Sequence, residues 1–263
     1  MSSTFLDKVT AETRERVAAA REFGYLDKLT KVAAKRAAER GPNKFRDAIS
    51  RKDCVNIIAE IKRASPSRGV IKADIDVPNL AKRYAAGGAA AISVLTEPKH
   101  FDGEISDLVA ATRAVEVPTL RKDFIVDEYQ IIEAAASGAS AILLIVAALT
   151  DDELSSLYRS ATDLGLDVLV EVHDASEMHR AIDLGADIIG VNNRDLHSLE
   201  VSLDTSRKLI ELRPDNAVMV AESGITGRDE IVQLRSLGYD AFLIGETLMR
   251  SPEVAESLGE LMS

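Results

Sequence analysis

The stretch Gly185-Ala186-Asp187-Ile188-Ile189-Gly190-Val191-Asn192-Asn193-Arg194-Asp195 contains, in order, the parts of one βα unit. Just before it, Ser176–Leu184 has helical periodicity. Gly185 then stands where glycine takes the left-handed conformation that ends a helix. Ile188–Val191 is a short aliphatic run of strand length, and it ends in a cluster of amide and charged side chains.

The same plan extends in both directions. Aliphatic runs recur at Val55–Ile61, Ala90–Leu95, Thr119–Leu120, Ala141–Val146, Val168–Val172, Ile188–Val191, Ala217–Ala221 and Ala241–Ile244. Their spacing of roughly 20–35 residues is the size of one βα unit. Between the fourth and fifth runs, Asp151–Leu164 is helical in pattern; Thr150 followed by Asp151, Asp152 and Glu153 supplies an N-cap and negative charge at the helix start. Gly88, Gly138, Gly185 and Gly238 each close a helical segment ahead of the second, fourth, sixth and eighth runs. The repeat therefore has a (βα)2 period. Eight units without a GxGxxG turn favour a closed barrel over its main rival, an open doubly wound sheet. The expected fold is α/β: a single (β/α)8 TIM barrel over residues 1–263, with 1–50 as an N-terminal helical extension.

The length of 263 residues suits this plan, since one such barrel needs about 250. Trp is absent and aromatics make up 4% of the chain, so the core must be built from Val, Ile, Leu and Ala, as buried parallel strands require. Within the extension, Phe5, Leu6, Val9, Val17 and Ala20 form one apolar stripe over Ser3–Gly24, and Lys28–Ala38 continues in helical pattern. Periodicity leaves two places for it: below the barrel as a cap, or across the open end as part of the site.

A net charge of −11 argues against nucleic acid or anionic membrane as partner, while leaving room for a local basic cleft that takes an anionic small molecule. Met1–Lys8 lacks a basic segment followed by an apolar run, and no apolar run reaches the ~20 residues that cross a bilayer. The single cysteine, Cys54, fits a reducing cytoplasm and reads as a buried small hydrophobe, because nothing near it stabilises a thiolate. His100, His173, His179 and His197 lack metal-ligand spacing and are expected to be solvated or structural, so no metal and no cofactor is expected.

Chemistry in such barrels sits at the C-terminal ends of the strands. Here those ends carry Glu60 and Lys62, Arg121-Lys122-Asp123, Glu171 and His173, Asn192 to Asp195, and Glu222-Ser223-Gly224. Glu60 and Lys62 are two apart and project to the same side. Any one such pair could be a structural ion pair. Five loaded strand ends together favour an active site, since charge pointing into a barrel is costly unless paired or functional. Ser223-Gly224 after the seventh strand and Gly245 after the eighth offer backbone N–H groups at the usual phosphate position, provided the neighbouring Glu246 carboxylate points away.

The run Ile57-Ile58-Ala59-Glu60-Ile61-Lys62-Arg63-Ala64-Ser65-Pro66-Ser67 closely resembles the signature of indole-3-glycerol phosphate synthases. The resemblance continues through Leu95-Thr96-Glu97, Leu120 to Phe124, Val170 to His173, Gly190 to Leu196, Ala221 to Ile225 and Leu243 to Glu246, and so covers essentially the whole chain. It implies ring closure of 1-(2-carboxyphenylamino)-1-deoxyribulose 5-phosphate with loss of CO2 and water, without cofactor or metal, by a cytoplasmic monomer. It further implies Lys122 as the general acid, its proton loosened by desolvation or a neighbouring cation. Glu171 would assist dehydration as acid or base. Lys62 would hold the anionic ends of the substrate and donate a proton, Glu60 and Glu222 would orient the ammonium groups, and Asn192 and Arg194 would fix the substrate. Ser65 belongs to the same substrate-binding set. Ser223, Gly224 and Gly245 match the phosphate site; Pro66, Phe101, Phe124, Leu143 and Leu196 match the walls around the anthranilate ring.

The chain departs from the family at Phe101-Asp102-Gly103-Glu104-Ile105, where relatives often read Phe-x-Gly-Ser-Leu, and at Glu246, where some relatives use Ser. Two alternatives remain open on sequence. One is another phosphoribosyl-processing barrel enzyme, which would need Cys or Asp at the first strand. The other is a non-catalytic barrel that binds phosphorylated ligands.

Overall fold

The computed structural model describes residues 4–41, 43–66, 69–196 and 198–263; Ser67 and His197, named above, lie outside the described residues, as does Ser3. Eight parallel strands close into a barrel in sequence order: β1 (Asn56–Ile61), β2 (Ala91–Leu95), β3 (Thr119–Lys122), β4 (Ala141–Ile145), β5 (Asp167–Val172), β6 (Ile188–Asn192), β7 (Val218–Glu222) and β8 (Ala241–Ile244). β8 closes on β1 with Asn56 opposite Ala241 and Ala59 opposite Ile244. Helices lie between successive strands, so this is a (β/α)8 barrel.

Alternation along the strands divides the core in two. Ile57, Ala59, Ile92, Val94, Val170 and Phe242 face outward beneath the helices. Ile58, Leu120, Leu143, Leu169, Val220 and Leu243 fill the interior. Four strand ends differ from expectation; β6 and β7 each run one residue further, to Asn192 and Glu222. β3 runs through Arg121 and Lys122, because neighbouring groups satisfy both charges and leave no reason for the strand to stop. β4 ends at Ile145, and Val146 turns into a 3-10 segment ending at Ala148.

Gly185 adopts φ 76° and ends its helix in the left-handed conformation. Gly88 is displaced by one residue, since Gly87 is the cap and Gly88 turns the chain at φ 89°. The helix Asp151–Asp163 starts with the expected cap: Glu153 N–H donates to Thr150 Oγ1, and Thr150 N–H donates back to Glu153. Cys54 is half-buried rather than buried, because its thiol donates to Asn56 Oδ1 ahead of β1.

The N-terminal extension occupies both of the positions left open. Helix α1 (Phe5–Glu22) crosses the open end, where it packs by the Val146–Ala148 turn and buries Leu6, Val9 and Val17. Helix α2 (Leu26–Arg40) packs along the barrel helix Glu128–Ser137. Its 15 residues span about 22 Å, enough to run down the side of the barrel. Helix α3 (Lys44–Ile49) then closes the floor. Phe45 N–H and Arg46 N–H, free at the start of α3, donate to Asp167 Oδ2 at the bottom of β5 at 2.8 and 3.0 Å. Phe45 and Ile49 are fully buried against the interior layer.

If α3 is a floor that the interior depends on, Phe45→Ala should lower stability by about 3–5 kcal/mol. Urea denaturation followed by circular dichroism measures this; a midpoint equal to that of the parent would show that the floor is dispensable.

Candidate active site

Above the interior apolar layer, the next inward positions are charged. Glu60 on β1, Lys122 on β3, Glu171 on β5 and Glu222 on β7 all point into the barrel mouth, and the three carboxylates are at most 3% exposed. Lys122 Nζ donates to Glu171 Oε2 at 3.1 Å and to Glu222 Oε2 at 3.0 Å. Lys62, just past β1, donates to Glu60 Oε1 at 2.5 Å. These groups line a cavity of about 730 Å3. Every residue to which the resemblance gives a role lines it: Glu60, Lys62, Ser65, Pro66, Phe101, Lys122, Phe124, Leu143, Glu171, Asn192, Arg194, Leu196, Glu222, Ser223, Gly224 and Gly245; Arg121, His173, Asn193 and Asp195, also at the loaded strand ends, do not.

The cavity has two unlike sides. On one, Phe124 packs with Phe101 at a centroid distance of 6.2 Å and with Phe5 at 6.5 Å, an apolar wall suited to an aromatic ring. On the other, Ser223 and Gly224 take consecutive positive φ values, 63° and 82°, and Gly245 opens the short helix Glu246–Arg250. That is a common layout for phosphate in this architecture. Glu246 has its carboxylate engaged along its own helix. It still lines the cavity, and its carboxylate is paired at 3.0 Å with Arg250, one turn further on.

Around the charged mouth, glycine is needed twice for space rather than for φ. A Cβ on Gly190 would lie 2.1 Å from Glu222 Oε1, and one on Gly245 would lie 2.4 Å from Glu60 Oε1. Both carboxylates therefore occupy volume that a side chain on the neighbouring strand would take. Gly245 was read in the sequence only as a phosphate contact.

The electrostatics reverse one expectation. Burial alone would push the Lys122 ammonium down, but Glu222, Glu171 and Glu60 outweigh it, so its pKa is raised and the proton is held rather than loosened. The partners split in turn. Burial pushes both carboxyls up; Lys122 and His173 bring Glu171 well below the usual carboxylate range, whereas Glu222 stays raised because Lys122 offsets burial only in part and Glu171 repels it.

Several participants were not legible in the pattern. Phe5 sat in the apolar stripe of α1, with nothing to show that it faces the mouth. His173, expected to be merely solvated or structural, lies between Glu171 and Glu177. Behind Lys122, Arg121 faces outward and donates to Thr96, Asp123 and the Gln130 carbonyl; Asp123 also accepts from Thr96 at 2.8 Å and from Arg16 of α1 at 3.2 Å.

A family model described as indole-3-glycerol phosphate synthase matches residues 6–261. An indole-3-glycerol phosphate synthase of Koribacter versatilis (strain Ellin345) is 50% identical over 264 residues, covering 100% of both chains. One from Kineococcus radiotolerans is 45% identical, covering 99% of this chain and 95% of that one. Among solved structures, 3-hexulose-6-phosphate synthase from Salmonella typhimurium superposes with a TM-score of 0.63 at 13% identity, over 79% of this chain and 96% of that one, a likeness of fold alone.

α1 is tied to the rim by charge: Glu12 accepts from Lys99 at 2.6 Å and contacts His100 at 2.8 Å, Arg14 pairs with Glu153, and Arg21 pairs with Asp127. Lys99, then His100, hold the Glu12 carboxyl down to about 2. A lowered carboxyl contributes stability above its unfolded value, and that contribution is lost as pH falls through the folded value. Hydrogen exchange of α1 should therefore quicken as pH drops from 4.5 towards 2, after correction for the intrinsic exchange rate, and Glu12→Gln should show the acid behaviour already at pH 7. Identical protection in parent and variant at pH 7 would remove Glu12 from the anchor.

Proposed function

The chain belongs to the indole-3-glycerol phosphate synthase family, and from that premise we propose how its side chains divide the work of closing the indole ring. The reaction converts 1-(2-carboxyphenylamino)-1-deoxyribulose 5-phosphate to indole-3-glycerol phosphate, CO2 and water, a step of tryptophan biosynthesis. The observation that carries the assignment is the Lys122 ammonium, gripped by two buried carboxylates and facing a cavity with an aromatic wall on one side and phosphate-type backbone on the other.

The phosphate sits on Ser223, Gly224 and Gly245, with Lys62 nearby, and the anthranilate ring lies against Phe101, Phe124, Leu143, Leu196 and Pro66. Ser65, Asn192 and Arg194 help fix the substrate between these ends. Holding both ends brings the ring carbon that bears the carboxylate up to the ketone carbon, an orientation effect. As that bond forms, negative charge gathers on the ketone oxygen and Lys122 gives it a proton. The raised pKa of Lys122 is no obstacle, because an alkoxide is a far stronger base than an amine; it ensures that the lysine is charged when the attack begins.

CO2 then leaves, and its bonding pair restores the aromatic ring, helped by an apolar wall that solvates a carboxylate poorly. The new hydroxyl departs as water with a proton from Lys62, and Glu171 removes the proton from the carbon beside the ring nitrogen. Two protons enter from lysines and one leaves to Glu171, which balances the proton consumed by decarboxylation. Glu60 and Glu222 orient Lys62 and Lys122 throughout. All of these groups lie within this chain, so the site needs no residue from a second copy, in keeping with one domain over residues 1–263. Cys54 as a free thiol supports the cytoplasm as its place of work. Among the described residues no helix is long and apolar enough to cross a membrane.

Supplied with the ribulose phosphate substrate, the protein should produce indole fluorescence. Lys122→Ala should lower the rate by at least about 10²–10⁴-fold with the fold intact, and near-normal turnover would refute its role as the acid. Glu171→Gln should slow dehydration after a normal ring closure; unchanged single-turnover kinetics would count against it.

A further inference from the structure

His173 lies two residues beyond Glu171, on the same inward side of the strand end, and is mostly buried. Its ring stands between two carboxylates. Nδ1 is 3.0 Å from Glu177 Oε2, and the His173 backbone N–H donates to the same oxygen at 2.8 Å. Nε2 is 3.3 Å from Glu171 Oε1, an ion-pair contact rather than a well-aligned hydrogen bond. Glu177 is itself fixed: it lies in the first turn of the helix Ala175–Leu184, and its N–H donates to the capping Asp174 at 2.9 Å.

This geometry determines the charge of the ring. A neutral imidazole that donates from Nδ1 to Glu177 would turn the lone pair of Nε2 towards a carboxylate oxygen, which is repulsive. A ring with a carboxylate near each nitrogen is favoured with both nitrogens protonated. Burial pushes the ring down, but Glu171 and Glu177 outweigh it and raise it to about 10. The other elements packed around it leave this balance unchanged. On the helix Ala175–Leu184, Asp174 is engaged at the cap and Arg180 with Asp151 and the Val146 carbonyl. β4 and the Val146–Ala148 turn bring no ionisable group, and β6 brings the amide Asn192. Lys122 meets Glu171 at its other oxygen, Oε2.

We propose that His173 is a positioning residue of the reaction: as an imidazolium anchored by Glu177, it holds the Glu171 carboxylate ionised and oriented after Lys122 has surrendered its charge. This rests on the assignment of Lys122 and Glu171 given above. Glu171 has two cationic partners while the site is at rest. Once Lys122 has protonated the ketone oxygen it is a neutral amine, and Glu171, buried and facing Glu222, would otherwise recapture a proton before the dehydration step needs it as a base. The imidazolium on Oε1 prevents that capture. Glu222 has no second cation, and its Oε1 accepts no hydrogen bond from the described residues, so the two carboxylates are not interchangeable.

The test is the pH dependence of the dehydration step in single turnovers, measured on parent, His173→Gln and Glu177→Gln. His173→Gln keeps a neutral donor near Glu171 but removes the charge. Its acid limb should move up by about 1–3 pH units, the effect of a removed opposite charge at this range, with KM in place. Glu177→Gln should bring an alkaline limb well below 10, as the ring gives up its proton more easily. Nitrogen-15 shifts of the ring in the free parent should show both nitrogens protonated at pH 8. A neutral ring at pH 8 would overturn the proposal, as would a His173→Gln enzyme that is slowed equally at every pH with its acid limb unmoved, which is what a purely structural histidine predicts. A parent protein that does not turn over the substrate at all would sink the functional assignment instead.

Discussion

One ammonium shared by two buried carboxylates sets the terms for the rest of the site. A closed barrel leaves its inward side chains little water, and burying an unpaired charge costs far more than burying a matched one. Glu171 and Glu222 are tolerable at the mouth because Lys122 lies 3.1 and 3.0 Å from them, and Glu60 because Lys62 lies beside it. Two carboxylates on one lysine still leave an excess of negative charge. That excess makes the pair unequal: Glu171, with His173 behind it, is held ionised, while Glu222 is held towards its protonated form. The difference in ionisation between the two carboxylates thus follows from where the second cation stands, with little help from residue type.

Once the carboxylates are placed, the backbone has to make room for them. Gly190 lies on the strand next to the one that carries Glu222, and Gly245 follows the end of the strand next to the one that carries Glu60; each leaves open the volume its neighbour's carboxylate fills. A glycine of this kind looks in sequence like a turn or a phosphate contact. Gly245 makes room for the Glu60 carboxylate and also opens the short helix Glu246–Arg250, which puts that helix start beside the Glu60–Lys62 pair.

The barrel was legible because its determinants are local and repeated. Aliphatic runs, glycine stops and loaded strand ends recur in each unit, and a period-2 rule is enough to put Glu60 and Lys62 on one side. The sixteen predicted residues among those that line the cavity were legible from motif and strand-end position together. What escaped was set by contacts distant in sequence. Nothing in Arg121-Lys122-Asp123 reveals that Lys122 meets Glu171 and Glu222, 49 and 100 residues away, and is thereby strengthened as a base. His173 has no metal-type spacing, so its two carboxylate neighbours appear only once the strand and the following helix are set side by side. Phe5 escaped for a similar reason, since an amphipathic stripe says which face is buried but not against what.

The N-terminal extension shows how the mouth and floor of the barrel are bound into one object. α3 seats Phe45 and Ile49 under the interior layer and spends its free N–H groups on Asp167, at the base of the strand that bears Glu171 at its top. α1 meets the groups that follow β2, β3 and β4 through Glu12, Arg16, Arg21 and Arg14, and places Phe5 against Phe124 in the cavity wall. A rim held by several solvent-facing ion pairs is individually weak at each contact. The helix stays seated because Leu6, Val9 and Val17 are buried, and the charges then set its register over the mouth. Apolar burial supplies the affinity of this helix for the barrel, and charge supplies its position; the place of Phe5 in the aromatic wall depends on both.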